Sequence, residues 1–175
     1  KLKDWGEGAS LAVVPQARHT KYPYAGTKSL SWAMNLSWLE AAQARGFDEA
    51  LLLNELGNVS ECTSANIFIA RGSRVYTPPL GASCLPGITR ELLLHEIHVP
   101  GISIEEKDLT PADLESADEV FITSTTRNLL PVVAVEGLQV RCEGEVHVLL
   151  GNVFSSYVEA YTAAHRRGGM KAPSA

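Results

Sequence analysis

Four short stretches carry residue types that can do chemistry together. Lys28 stands in Thr27-Lys28-Ser29-Leu30-Ser31-Trp32, just ahead of a patterned helix, and its primary amine is a nucleophile whenever it gives up its proton. Glu61 places a carboxylate where a hairpin strand is expected. Gly87-Ile88-Thr89 opens a second helix. A glycine there permits close approach, and the free N–H groups of a first helical turn can hold an anion such as a phosphate dianion. The Thr89 hydroxyl is a further donor, and Ser124-Thr125, after a strand, supplies two more. Each stretch alone has an ordinary reading: a solvated lysine, a surface glutamate, a plain helix start, a polar turn.

The rest of the chain sets the frame. It has 175 residues, 45% hydrophobic and 20% charged, which suits one sizeable soluble globular domain. The net charge of −5 argues against a broad nucleic-acid surface. No apolar run is long enough to span a membrane and no secretory pattern opens the chain, so the cytoplasm is the expected location. The three cysteines, Cys62, Cys84 and Cys142, are scattered and lack CxxC spacing, which predicts free thiols in a reducing compartment and no zinc site. In His95-Glu96-Ile97-His98 the histidines are three apart, not the four of a metalloprotease helix, so no metal is expected.

Residues 10–14 read as a short buried strand stopped by Pro15, and residues 15–27 as a loop. Trp32, Leu36 and Leu39 fall at helical spacing, with Met34, Trp38 and Ala41 widening the stripe and Gly46 ending it. The continuous run at 49–53 predicts a strand buried on both faces, with 54–58 turning the chain into a hairpin. Strands are expected at 66–70, 74–77, 102–106, 118–123 and 131–135, and a helix at 89–98. Thr110-Pro111-Ala112-Asp113 is a helix start with its cap. Leu150, Val153, Phe154, Tyr157 and Tyr161 mark one face of a last helix that ends near Gly168. Hairpins mixed with helices predict a mixed α and β fold, a mixed sheet with helices outside it.

These stretches also occur in a known order. Lys28-Ser29-Leu30, Asp48-Glu49-Ala50-Leu51-Leu52-Leu53, Gly57-Asn58-Val59-Ser60-Glu61, Asn66-Ile67-Phe68, Leu85-Pro86-Gly87-Ile88-Thr89-Arg90, Ala117-Asp118-Glu119-Val120-Phe121 and Pro131-Val132 resemble the class IV (fold-type IV) pyridoxal-phosphate enzymes. That family includes branched-chain and D-amino-acid aminotransferases and 4-amino-4-deoxychorismate lyase. The resemblance covers nearly the whole chain. It implies the pseudo-barrel large domain of that fold over residues 9–168, with 1–8 the linker from a missing small N-terminal domain and 169–175 a frayed tail.

The resemblance implies pyridoxal 5'-phosphate as cofactor. Lys28 is then the Schiff-base lysine and proton shuttle, and Glu61 the acid facing the pyridine nitrogen. Gly87, Ile88, Thr89, Ser124 and Thr125 hold the phosphate. Trp32, four residues after the lysine, stands where many relatives carry an aromatic; it packs against the cofactor or simply into the core. Arg127 either grips a substrate carboxylate or is a surface arginine. The implied activity is transfer of an amino group between an amino acid and a 2-oxo acid by a homodimer. The lyase activity, or a non-catalytic domain of the same fold, is the alternative. Glu61-Cys62 and Ala65-Asn66 are lyase-like, whereas Leu85-Pro86-Gly87-Ile88-Thr89-Arg90 and Thr123-Ser124-Thr125-Thr126 resemble the aminotransferases.

Overall fold

The structure, a computed structural model, describes residues 5–166. The expected tail at 169–175 and the first half of the expected linker lie outside the described residues. Among the described residues eight strands form one sheet: β1 (Ala9–Arg18), β2 (Glu49–Asn54), β3 (Val59–Cys62), β4 (Asn66–Arg71), β5 (Arg74–Thr77), β6 (Ser103–Glu106), β7 (Glu119–Ser124) and β8 (Asn128–Val135). Their order is β3-β2-β1-β8-β7-β4-β5-β6, curled into a half-barrel. The β1–β2, β1–β8 and β5–β6 pairs are parallel and the others antiparallel, so the sheet is mixed, as expected. Helices α1 (Ala33–Ala44), α2 (Ile88–His95), α3 (Pro111–Glu115) and α4 (Val146–Arg166) accompany it.

Strand periodicity divides the core. Ile67 and Ile122 point to one face, with Leu11, Leu51, Val59 and Val132. Their neighbours Phe68 and Phe121 point to the other, where Leu93 and Ile97 beside α2 and Leu150 and Phe154 of α4 cover them. The two phenylalanine rings, paired across β4 and β7, stack with centroids 5.3 Å apart. A third cluster, Ala12, Ala42, Ala50 and Leu52, seats α1. All six residues of β2 are buried, which is why that run carries no alternation.

Several expectations need correction. β1 does not stop at Pro15 but runs on to Arg18. It pairs Val14 with Leu52 and Arg18 with Asn54, so four residues of β1 stand against two of β2. The surplus forms a bulge around Gln16, at φ 53°, and a proline costs nothing where the ladder is already interrupted. α1 begins at Ala33, five residues after Lys28, and buries only Ala42, while Trp32, Met34 and Leu36 are exposed. α2 ends at His95, so His98 lies beyond it, and no group of residues among those described is placed to hold a metal. On α4, Leu150 and Phe154 are buried but Val153 and Tyr161 are exposed.

Local capping signals are realised. Thr110 Oγ1 accepts from the Asp113 N–H at 3.3 Å, and Asp113 Oδ2 accepts from the Thr110 N–H at 2.9 Å. The start of α4 is held from a distance instead. The buried Glu119 carboxylate accepts from the N–H groups of Val146 (2.8 Å) and His147 (3.1 Å) and lies 2.5 Å from His147 Nδ1. No described helix is long and apolar enough to cross a membrane. All three cysteines are free.

Candidate active site

Glu61 is the best-defined of the expected site residues. β3 returns antiparallel on β2 with Glu61 opposite Leu52, which turns its side chain to the α1 face and buries it. Its Oε1 accepts from Arg18 Nε (3.0 Å) and Nη2 (2.9 Å), and its Oε2 from the Leu85 N–H (2.9 Å). Burial pushes the carboxyl above its ordinary range, and the Arg18 guanidinium and the Leu85 N–H pull the other way without cancelling it.

Arg18 itself carries no sequence signal, because it lay in the stretch read as loop. The extension of β1 brings it onto the α1 face. There its Nη2 also donates to Asn35 Oδ1 at 3.1 Å, and its guanidinium lies 5.4 Å from the centre of the Trp38 ring. The polar chain continues. Asn35 Nδ2 donates to the Thr63 carbonyl at 2.7 Å, and the Thr63 hydroxyl is bonded to Glu49. Glu49 is fully buried, takes a further bond from Ser64 Oγ at 2.6 Å, and pairs with Arg127 Nη1 at 3.1 Å. Arg127 in turn lies over Trp5, 5.0 Å from the ring centre. It is therefore engaged by Glu49, a role the sequence did not suggest.

Lys28 lies in the irregular, exposed segment between β1 and α1. Two residues before the lysine, Gly26 sits at φ 69°, and a Cβ built there would stand 2.7 Å from the Cys84 carbonyl oxygen. Only glycine allows that approach. Leu85, next along, is the residue that donates to Glu61. Cys84 is no rival nucleophile: burial pushes its thiol up to about 11, and its Sγ is bonded to the Pro78 and Pro79 carbonyls.

The backbone strap at Cys84–Leu85 leads into the expected phosphate seat. Asn66 Nδ2 donates to the Leu85 carbonyl at 2.8 Å, and its Oδ1 occupies the space that a Cβ on Gly87 would need. Gly87 is the N-cap of α2 and no side chain caps that helix, so its first-turn N–H groups remain for a ligand. Ile88 is exposed and Thr89 buried. Across the ladder Asn66 pairs with Thr123, whose hydroxyl is buried without a protein partner. Ser124 follows and closes its own turn, accepting from the Arg127 N–H at 3.2 Å; Thr125 is exposed. Trp32 is the N-cap residue of α1 and exposed, so the core-packing reading does not hold. An uncapped helix start, a glycine with no room for a side chain and an orphan hydroxyl on the adjoining strand together fit a phosphate-bearing ligand.

The contacts thus bring Glu61, residues 85–89, Asn66 and Thr123 together, and Gly26, two residues before the exposed Lys28, approaches the adjoining Cys84 carbonyl. The chain is also similar to known proteins. D-alanine aminotransferase of Bacillus licheniformis is 40% identical over 110 residues, 63% of this chain and 38% of that protein. The branched-chain aminotransferase of Thermoproteus uzoniensis, solved with norvaline, superposes with a TM-score of 0.79 at 34% identity, covering 87% of this chain and 52% of that one. A Legionella pneumophila protein assigned as a 4-amino-4-deoxychorismate lyase superposes with a TM-score of 0.78 at 26% identity, covering 87% and 56%. The chain thus spans between about a third and rather more than half the length of these proteins. The model of the amino-transferase class IV family matches residues 2–135, and the chain belongs to that family.

Proposed function

We propose that this chain is the cofactor-binding part of a pyridoxal-phosphate-dependent class IV aminotransferase, which moves an amino group between an amino acid and a 2-oxo acid. The observation that carries the reading is the Cys84–Leu85 strap, which contacts the Lys28 segment through Gly26, bonds Glu61, and opens into Gly87. When bound, the cofactor supplies an electron sink for the bonds at the substrate's Cα. Lys28 Nζ would hold it, and the same amine would carry a proton to and from the substrate's Cα. Glu61 keeps a proton on the ring nitrogen. The first-turn N–H groups of α2 hold the phosphate dianion, with Thr89 and the Ser124-Thr125 turn beside them.

The full-length protein in this reading is a cytoplasmic homodimer, with a smaller N-terminal domain closing over the site. Support comes from the exposed Tyr22, Tyr24, Leu30, Trp32, Met34 and Leu36, an apolar belt around the lysine segment that calls for a cover.

In the full-length protein with added pyridoxal phosphate, a visible absorption band is expected that borohydride fixes to Lys28 and that a Lys28→Ala variant lacks. A wild-type protein without such a band sinks the reading. The likeness to the Legionella protein supports a second one, lyase activity on aminodeoxychorismate. Parallel assays with amino donors and with aminodeoxychorismate separate the two.

A further inference from the structure

The Glu61 carboxylate offers about four acceptor positions, two per oxygen. Arg18 Nε and Nη2 fill both positions of Oε1, and the Leu85 N–H fills one of Oε2. One acceptor on Oε2 is left. The guanidinium that sets this arrangement is itself held on two further sides, by Asn35 Oδ1 at 3.1 Å and by the face of Trp38. Asn35 is fixed in turn through its bond to the Thr63 carbonyl. The bulge at Gln16 exists in β1 where two surplus residues carry Arg18 into reach of Glu61, 43 residues away.

We propose that Arg18 is a positioning residue for the cofactor: by filling Oε1 with two N–H bonds that converge on it, it turns the Glu61 carboxylate so that the open acceptor of Oε2 is the one presented to the ring nitrogen, with Asn35 and Trp38 locking the guanidinium. The inference rests on the reading of Glu61 as the ring-nitrogen acid. Without Arg18 the buried carboxyl would be free to rotate and to take up a proton, since burial favours its neutral form. Either change would cost the ring nitrogen its partner. A lysine cannot substitute fully, because it supplies the charge but not the forked pair of donors.

The test is a double-mutant cycle in the full-length holoenzyme. Turnover is measured together with the pH at which the bound cofactor's visible band titrates. Glu61→Gln is expected to retain the cofactor, slow turnover and shift that titration. Arg18→Gln is expected to slow turnover about tenfold to a hundredfold, the size of losing bonds to a charged group, and to shift the titration in the same direction. The R18Q/E61Q double variant should be no slower than E61Q, because Arg18 acts only through Glu61. Arg18→Lys should recover part of both effects, and it stands in where R18Q does not fold. A spectral titration untouched by R18Q and R18K, or losses that add in full in the double variant, overturns the proposal and leaves Arg18 as a structural ion pair. A wild-type holoenzyme that shows no band at all fails earlier, at the proposed function.

Discussion

Glu49 and Arg127 form an ion pair, Oε2 to Nη1 at 3.1 Å, between the start of β2 and the β7–β8 turn, with the glutamate buried and the arginine partly so. The glutamate is wholly shielded from solvent, so its charge depends on that arginine and on the Thr63 and Ser64 hydroxyls. Arg127→Ala leaves the carboxylate uncompensated and is expected to cost about 3–5 kcal/mol, read from denaturant unfolding. Replacing the pair together, with Arg127→Met and Glu49→Leu, should restore much of the loss. A folded Arg127→Ala protein of wild-type stability whose KM for an amino acid rises sharply would instead make Arg127 a substrate clamp.

Gly87→Ala puts a methyl group where Asn66 Oδ1 sits. Asn66 must move, and the Leu85 carbonyl then loses its bond. Overpacking of this kind costs about 1–3 kcal/mol. Because the strap moves with it, pyridoxal phosphate affinity, followed by fluorescence titration, should fall by about tenfold or more, one lost phosphate contact being worth roughly that. Unchanged affinity would remove Gly87 from the phosphate seat.

Glu119→Gln keeps the shape of the α4 cap but not its charge. The carboxylate accepts from two backbone N–H groups and is bonded to the His147 ring, so the expected loss is about 1–2 kcal/mol. For a chain of this size each 1 kcal/mol lowers Tm by about 2–4 °C, which calorimetry can resolve.

Asp113 gives a pH dependence with a definite sign. Burial alone would raise its carboxyl, but hydrogen bonds from the Thr110 backbone and hydroxyl and from Lys107 outweigh that and hold it down at about 2, against an ordinary 3.8. A carboxyl whose pKa is lower in the folded state stabilises above its unfolded value. The contribution is therefore complete above about pH 4 and fades as pH falls towards 2. The stability gap between wild type and Asp113→Asn should be widest above pH 4 and close towards pH 2, in urea melts at stepped pH. A gap independent of pH would mean that the cap works through shape alone.

Local signals were legible and distant ones were not. The α3 cap could be read directly because Thr110, Pro111 and Asp113 lie within one turn. The β2 run needed only its own residues. Glu61, Gly87 and Ser124 were candidates by type and order, through the family resemblance. Arg18 was not, because its partner is 43 residues away and Pro15 looks like a stop unless the bulge beyond it is known. The Glu119 cap of α4 and the Glu49–Arg127 pair were hidden for the same reason: nothing near Glu119 or Glu49 in the chain tells which charge it will meet. The covered face of α1 was misread, since Trp32, Met34 and Leu36 have an apolar pattern but no cover among the described residues.

The strap at Leu85 has a further effect, on the order in which the molecule comes apart. β1 meets β8 through only three paired positions, joining segments such as Ala9 and Val132 that lie far apart in the chain. Such a closure forms late, after the hairpins on either side of it. Leu85 grips both sides at once, its N–H on Glu61 of β3 and its carbonyl on Asn66 of β4. A ligand seated at Gly87 therefore works as a latch on the half-barrel, and its presence should be felt first as a slower unfolding rate.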